Sequence, residues 1–217
     1  MEIFKTYYQN ANPEKALAMA AYMKNQFPFL GIQSPGRKEI NDRYFKQLKG
    51  ARSFDWEFVF QSMKMPEREF TYLATEYIYR FRNLIEPSSF INIERAALIK
   101  PWWDSIDSIA PSVGFLCKKY PILLRDFIEK WIYADNIWLK RISIIFQLKY
   151  KNETNLEILS QSILENKNSN EFFVNKAIGW ALREYSKSDP KWVLDFVKHN
   201  SLSKLSENEA LKWINRL

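Results

Sequence analysis

The 217-residue sequence predicts an all-α protein built from successive helical pairs. Three observations carry that prediction. Glycine is scarce, at 5 residues, so tight turns are few. Long stretches place apolar residues three and four apart, and no alternating apolar–polar pattern bounded by turn residues is convincing as a strand. Prolines at 66, 101, 111, 121 and 190 stand where such stretches begin. At a helix start the missing N–H costs nothing, because the first helical N–H groups have no partner.

In chain order, a short helix is expected over 2–10, interrupted by Asn12-Pro13. Asn12 suits the cap of the next helix, 13–25, and Pro13 its first turn. Ala16, Met19, Ala20 and Met23 form its apolar stripe, and Tyr22 and Phe27 add aromatic content. The one obvious glycine-bearing connection follows, Phe29-Leu-Gly-Ile-Gln-Ser-Pro-Gly. Its Ser34-Pro35 reads as cap and first-turn proline of a helix over 35–49 with a basic start, Arg37 and Lys38. Periodicity places the remaining helices near 54–63, 66–82, 88–99, 101–109, 112–119, 121–133, 136–150, 154–165, 171–186, 190–198 and 206–215. No linker rich in Gly, Ser or Pro divides the chain, so a single domain over 1–217 is expected.

Two segments resemble each other at an offset of 35 residues: 135–150 lies over 170–185, with Ile137/Phe172, Trp138/Phe173, Leu139/Val174, Arg141/Lys176 and Tyr150/Tyr185 in register. A period of this size with two helices per unit points to a right-handed α-solenoid of HEAT-like pairs, which stack to bury a continuous core and leave one concave face. Arg141 and Lys176 should then be neighbours on one wall.

Composition narrows the function classes. Hydrophobic residues make up 47%, which marks a globular chain, and the formal net charge of +7 suits nucleic acid, an anionic membrane surface or acidic proteins. One cysteine, Cys117, excludes an internal disulfide and reads as a buried small hydrophobe; with one histidine, His199, a Cys/His zinc site is out of reach, so no metal is expected. No secretory leader and no apolar run long enough to span a membrane are visible. Residues 118–151 hold eight basic side chains (Lys118, Lys119, Arg125, Lys130, Lys140, Arg141, Lys149 and Lys151) against three acidic ones, a local excess that suits a basic groove for a polyanion. No phosphate loop, dinucleotide fingerprint or catalytic Ser/His/Asp or Cys/His set occurs.

Three places could carry chemistry. In 101–109, Trp102, Ile106 and Ile109 project to one core face. Trp103 lies at its edge, Asp107 sits one turn later, and Asp104 points to the solvated side. An aromatic plane beside a carboxylate is either a site or a core Trp next to a solvated Asp. In 136–150, Lys140, Ser143 and Gln147 form a polar face, while Arg141 projects among Ile137, Ile145 and Leu148. A charge there needs a carboxylate partner, a path to the rim or a ligand. In 171–186, Lys176, Gly179 and Arg183 share a stripe, with Trp180 beside it. Gly179 either lets a ligand approach the backbone or lets another helix pack close.

These stretches resemble the bacterial DNA alkylation repair family of HEAT-like-repeat DNA glycosylases, the AlkD-type enzymes. The matching segments, spread in order over nearly the whole chain, are 22–35, 66–70, 102–109, 135–141, 146–151 and 176–185. The Trp102-Trp-Asp-Ser-Ile-Asp107 and Gly179-Trp-Ala-Leu-Arg-Glu-Tyr185 motifs are the specific ones. The resemblance implies hydrolysis of the N-glycosidic bond of cationic 3-methyladenine and 7-methylguanine in double-stranded DNA. It implies no cofactor, and a monomer in the bacterial cytoplasm, associated with the nucleoid when on DNA. It makes Asp107 the catalytic carboxylate, Trp103 and Trp180 the aromatic pair against the lesion's sugar, and Arg141 the basic residue of the cleft. Tyr22 is the N-terminal tyrosine near it; Gln33, Lys176, Gly179 and Arg183 complete the expected DNA-binding set. Gly36 departs from the family pattern, where an acidic residue is usual.

Overall fold

The computed structural model describes residues 1–216. Among them are thirteen α-helices and no strand, and no helix is long and apolar enough to cross a membrane. The chain comprises two compact units, Met1–Lys100 and Pro101–Leu217.

The N-terminal unit holds α1 (Glu2–Gln9), α2 (Pro13–Tyr22), α3 (Ser34–Gln47), α4 (Trp56–Lys64), α5 (Arg68–Phe81) and α6 (Ile91–Leu98). Asn12 caps α2 as expected, its Oδ1 accepting from Lys15 N at 3.0 Å. Ser34 is not the cap of α3 but its first residue; Gln33 takes the cap position with no side-chain bond. The core is aromatic. Tyr7 stacks on Phe70 at 5.2 Å, and Tyr77 lies 4.8 Å from Phe58 and 4.7 Å from Phe81.

Two adjacent charged residues at the start of α5, Arg68 and Glu69, are both fully buried. A buried charge survives only when paired or densely hydrogen-bonded. Glu69 Oε1 accepts from Gly31 N (2.9 Å) and Ile32 N (3.1 Å), and Oε2 from Leu30 N (3.0 Å). Arg68 donates Nη1 to Lys100 O at 2.6 Å, and its guanidinium lies 4.0 Å from the Phe27 ring centre. Together they hold the connection between α2 and α3. Gly31 is required in it: its φ is +86°, and a Cβ there would fall 1.9 Å from Asn12 O.

The C-terminal unit runs through α7 (Trp103–Lys119), a π-helical turn (Leu124–Ile128) that continues into α8 (Glu129–Ile132), α9 (Ile137–Ile145), α10 (Leu156–Asn166), α11 (Phe172–Tyr185), α12 (Pro190–His199) and α13 (Lys204–Leu211). Asn136, Asn155, Asp189 and Ser203 cap α9, α10, α12 and α13. Ile144, Ile145, Leu159, Ile163, Ile178, Leu182 and Val193 form its core. Cys117 is buried, and burial pushes its thiol up to about 12.

Two expectations are corrected here. Pro111 does not begin a new helix: 101–109 and 112–119 are one helix, α7, with the proline inside it. An interior proline costs about 3 kcal/mol and removes the N–H due to the carbonyl of Asp107. Ile106, Ile109, Ala110, Val113 and Leu116 are nonetheless buried on one continuous stripe, and that burial carries the helix across the break. Of the polar face expected from Lys140, Ser143 and Gln147, the last two are almost inaccessible, and Gln147 lies past the end of α9. Ser143 O accepts from Ser162 Oγ of α10 at 3.2 Å, and Gln147 bonds both backbone groups of Asn155.

Candidate active site

Asp107 and Arg141 meet face to face. Arg141 Nε donates to Asp107 Oδ1 at 2.8 Å and Nη2 to Oδ2 at 2.9 Å, the two-pronged geometry that suits guanidinium to carboxylate. Nη1 donates to Phe173 O at 2.6 Å, tying the pair to the first turn of α11. The Arg141 side chain is 5% exposed and that of Asp107 20%, so solvent reaches the carboxylate and hardly reaches the cation. The buried charge that the apolar face of α9 predicts is thus present, and its partner is the candidate carboxylate itself.

The remaining parts of the constellation stand around this pair. The Arg141 guanidinium lies 5.9 Å from the Trp180 ring centre. Trp103 opens α7 one turn before Asp107, and both tryptophans are half-buried. Trp102, Trp138 and Phe173 form an aromatic cluster with ring centres 5.1 to 5.8 Å apart. Asp104, expected on the solvated side, is buried. Asp104 is close enough to act electrostatically on Asp107.

The Asp107 carboxyl is raised above its ordinary value of 3.8, first by burial, against the opposing hydrogen bonds and charge of Arg141, and with a smaller upward push from Asp104. Were Asp107 to act in a reaction as an ionised carboxylate, the acid limb of that activity would lie above 3.8. Replacing Arg141 with Gln removes the influence that lowers the pKa. The limb should then move to still higher pH, measured as kcat/KM against pH. An unmoved limb would separate the limb from Asp107.

The Lys176, Gly179 and Arg183 stripe packs against α13. Glu209 of α13, with its side chain 5% exposed, accepts from Lys176 at 2.5 Å, from Lys212 at 2.7 Å and from Arg183. Gly179 admits this helix, not a ligand: a Cβ there would lie 2.4 Å from Glu209 Cβ and 2.7 Å from Ser206 O. Gly179→Ala should therefore lower stability by about 1–3 kcal/mol despite alanine's better helix propensity, read from denaturant midpoints. Glu209 itself is unreadable in the sequence, where Ser-Glu-Asn-Glu-Ala looks like a solvated helix. Burial and the charges of Lys212, Arg183 and Arg141 lower the Lys176 pKa, which places Arg141 and Lys176 in one electrostatic neighbourhood.

Part of the basic excess over 118–151 is matched locally: Lys118 pairs with Glu153, and Arg125 with Asp126. Tyr22 and Gln33 belong to the N-terminal unit and are exposed there; Gln33 lines a cleft of about 550 Å³ bordered by α1 and α3. Among the described residues, no three His, Cys, Asp or Glu side chains gather as a metal site would require.

Comparison with known proteins finds a matching family model and similar solved structures. A family model described as "DNA alkylation repair enzyme" matches residues 3–214. A solved structure, described as a predicted DNA alkylation repair enzyme from Enterococcus faecalis, is similar over 95% of this chain and 98% of its own, with 30% identity and a TM-score of 0.89. Among curated proteins none matches.

Proposed function

The chain belongs to the DNA alkylation repair enzyme family, and on that premise we propose that it is a monofunctional DNA glycosylase acting on N3- and N7-alkylated purines in duplex DNA. The observation that carries the reading is the Asp107–Arg141 pair: a carboxylate with one accessible edge, held by a buried guanidinium, with Trp180 beside it.

The chemistry fits such a pair. Alkylation at N3 or N7 leaves the purine positively charged. As the C1′–N9 bond breaks, its electron pair neutralises the ring, and the base leaves without a proton being supplied. Positive charge then develops on the deoxyribose. Asp107 stabilises that charge and orients the water whose oxygen bonds to C1′; the water's proton passes to the carboxylate or to solvent. The faces of Trp103 and Trp180 attract the electron-poor C–H edges of the sugar. Arg141 keeps Asp107 aimed and ionised, and this positioning role fits its hydrogen bonds better than a phosphate contact does. No lysine nucleophile enters the scheme. The protein would act as a monomer to begin base excision repair in the bacterial cytoplasm and nucleoid, with Tyr22 and Gln33 contributing DNA contacts from the N-terminal unit.

Release of free 7-methylguanine from methylated duplex DNA tests the proposal; none above a protein-free blank would sink it. The same ion pair would also suit a helical-repeat protein that binds DNA or RNA structures without cleaving them. Binding with no base release would favour that second reading.

A further inference from the structure

Glu209 is held by more positive charge than it can neutralise. One cation would balance a buried carboxylate, yet three converge on it: Lys176 and Arg183 from α11 and Lys212 from the end of α13. Their side chains are 36%, 30% and 50% exposed, whereas that of Glu209 is 5% exposed. Glu184, on the same last turn of α11 as Arg183, is engaged by Lys187. The result is a patch with two uncompensated positive charges whose members repel one another. The Lys176 pKa is lowered first by burial and then by the charges of Lys212, Arg183 and Arg141.

Crowding like charges is unfavourable unless an anion relieves it. The patch lies on the surface that carries Trp180, because Lys176 is one turn before that residue and Arg183 nearly one turn after it. We propose that Lys212, together with Lys176 and Arg183, forms a clamp for a backbone phosphate of duplex DNA, assembled on Glu209 as its internal counter-charge. The clamp rests on the DNA-repair reading given above. It adds Lys212 as a phosphate ligand and makes Glu209 the internal counter-charge that tempers three cations from two helices. Gly179 completes the device, since only a residue without a side chain lets α13 bring Glu209 and Lys212 this close to α11.

The test is binding of the full-length protein to an undamaged duplex oligonucleotide, followed as log K against log salt. Each phosphate neutralised contributes about −0.9 to that slope. Lys212→Gln should make the slope shallower by about 0.9 and weaken binding about fivefold at low salt. Glu209→Gln, in protein shown by its melting curve to be folded, should bind more tightly, because a negative charge has left the patch. A merely structural role for Glu209 predicts the opposite sign. A wild-type slope in Lys212→Gln overturns the clamp, as does weaker binding by folded Glu209→Gln; if Glu209→Gln does not fold, the Lys212→Gln slope decides alone. Base release is scored separately on methylated duplex DNA. A clamp effect with no base release removes the glycosylase reading and leaves the clamp standing. Base release with an unchanged slope does the reverse.

Discussion

Asp107→Asn is expected to slow release of 7-methylguanine from methylated duplex DNA by about 10²–10³-fold, the loss typical when one preorganised electrostatic stabiliser of a transition state is removed. Asparagine keeps the shape and can still accept one of Arg141's two bonds, so the arrangement of α7 against α9 should persist. What it lacks is the negative charge that opposes the cation developing on the sugar. Single-turnover rates at saturating protein isolate the chemical step from binding. Undiminished excision by Asp107→Asn would remove Asp107 from the catalytic role while leaving the family membership untouched. A second signature accompanies the loss. Arg141 is almost fully buried, and neutralising its partner leaves that charge uncompensated, so the variant should also melt at a lower temperature than the parent.

The other large effect concerns stability. Glu69→Ala strands three buried backbone N–H groups, those of Leu30, Gly31 and Ile32, in a connection that has already accepted a left-handed glycine. Each stranded donor costs about 1–3 kcal/mol, so a total of at least about 3 kcal/mol is expected. At roughly 2–4 °C per kcal/mol for a chain of this size, the melting temperature should fall by about 6 °C or more. Glu69→Gln should be intermediate. Its one carbonyl oxygen can serve the Gly31 and Ile32 donors as Oε1 does, but its NH₂ then faces the Leu30 N–H. Calorimetry or urea unfolding decides; equal stabilities for Ala and wild type would mean that the connection finds its hydrogen bonds elsewhere.

Most helices were legible because burial in this fold follows the 3.6-residue period. Asn12, which caps α2 as its type and place suggest, illustrates a local signal that survived intact. The errors occur where a distant segment overrides a local one. Pro111 reads as a start because proline usually is one, yet the apolar stripe on either side of it holds α7 together. Ser143 and Gln147 read as solvated because they are polar, but α10 and the Asn155 backbone supply their partners. The apolar surroundings of Arg141 announced a charge in need of a carboxylate, a path to the rim or a ligand, and nothing local identified Asp107, 34 residues earlier, as its partner. Glu209 lies still further from readability: its three cations include two that are 33 and 26 residues away, and only the glycine at 179 hinted that a helix would lie there.

The two-pronged Asp107–Arg141 contact also constrains how this sequence can diverge. Because a half-removed buried pair is worse than either a complete pair or two apolar residues, neither position can drift alone without a penalty of about 3–5 kcal/mol. A lineage that abandons base excision but keeps the fold is expected to exchange both residues together, or neither. Correlated replacement of positions 107 and 141 across relatives would then mark the branches where catalysis was lost, and independent variation at the two positions would show that the strut is dispensable.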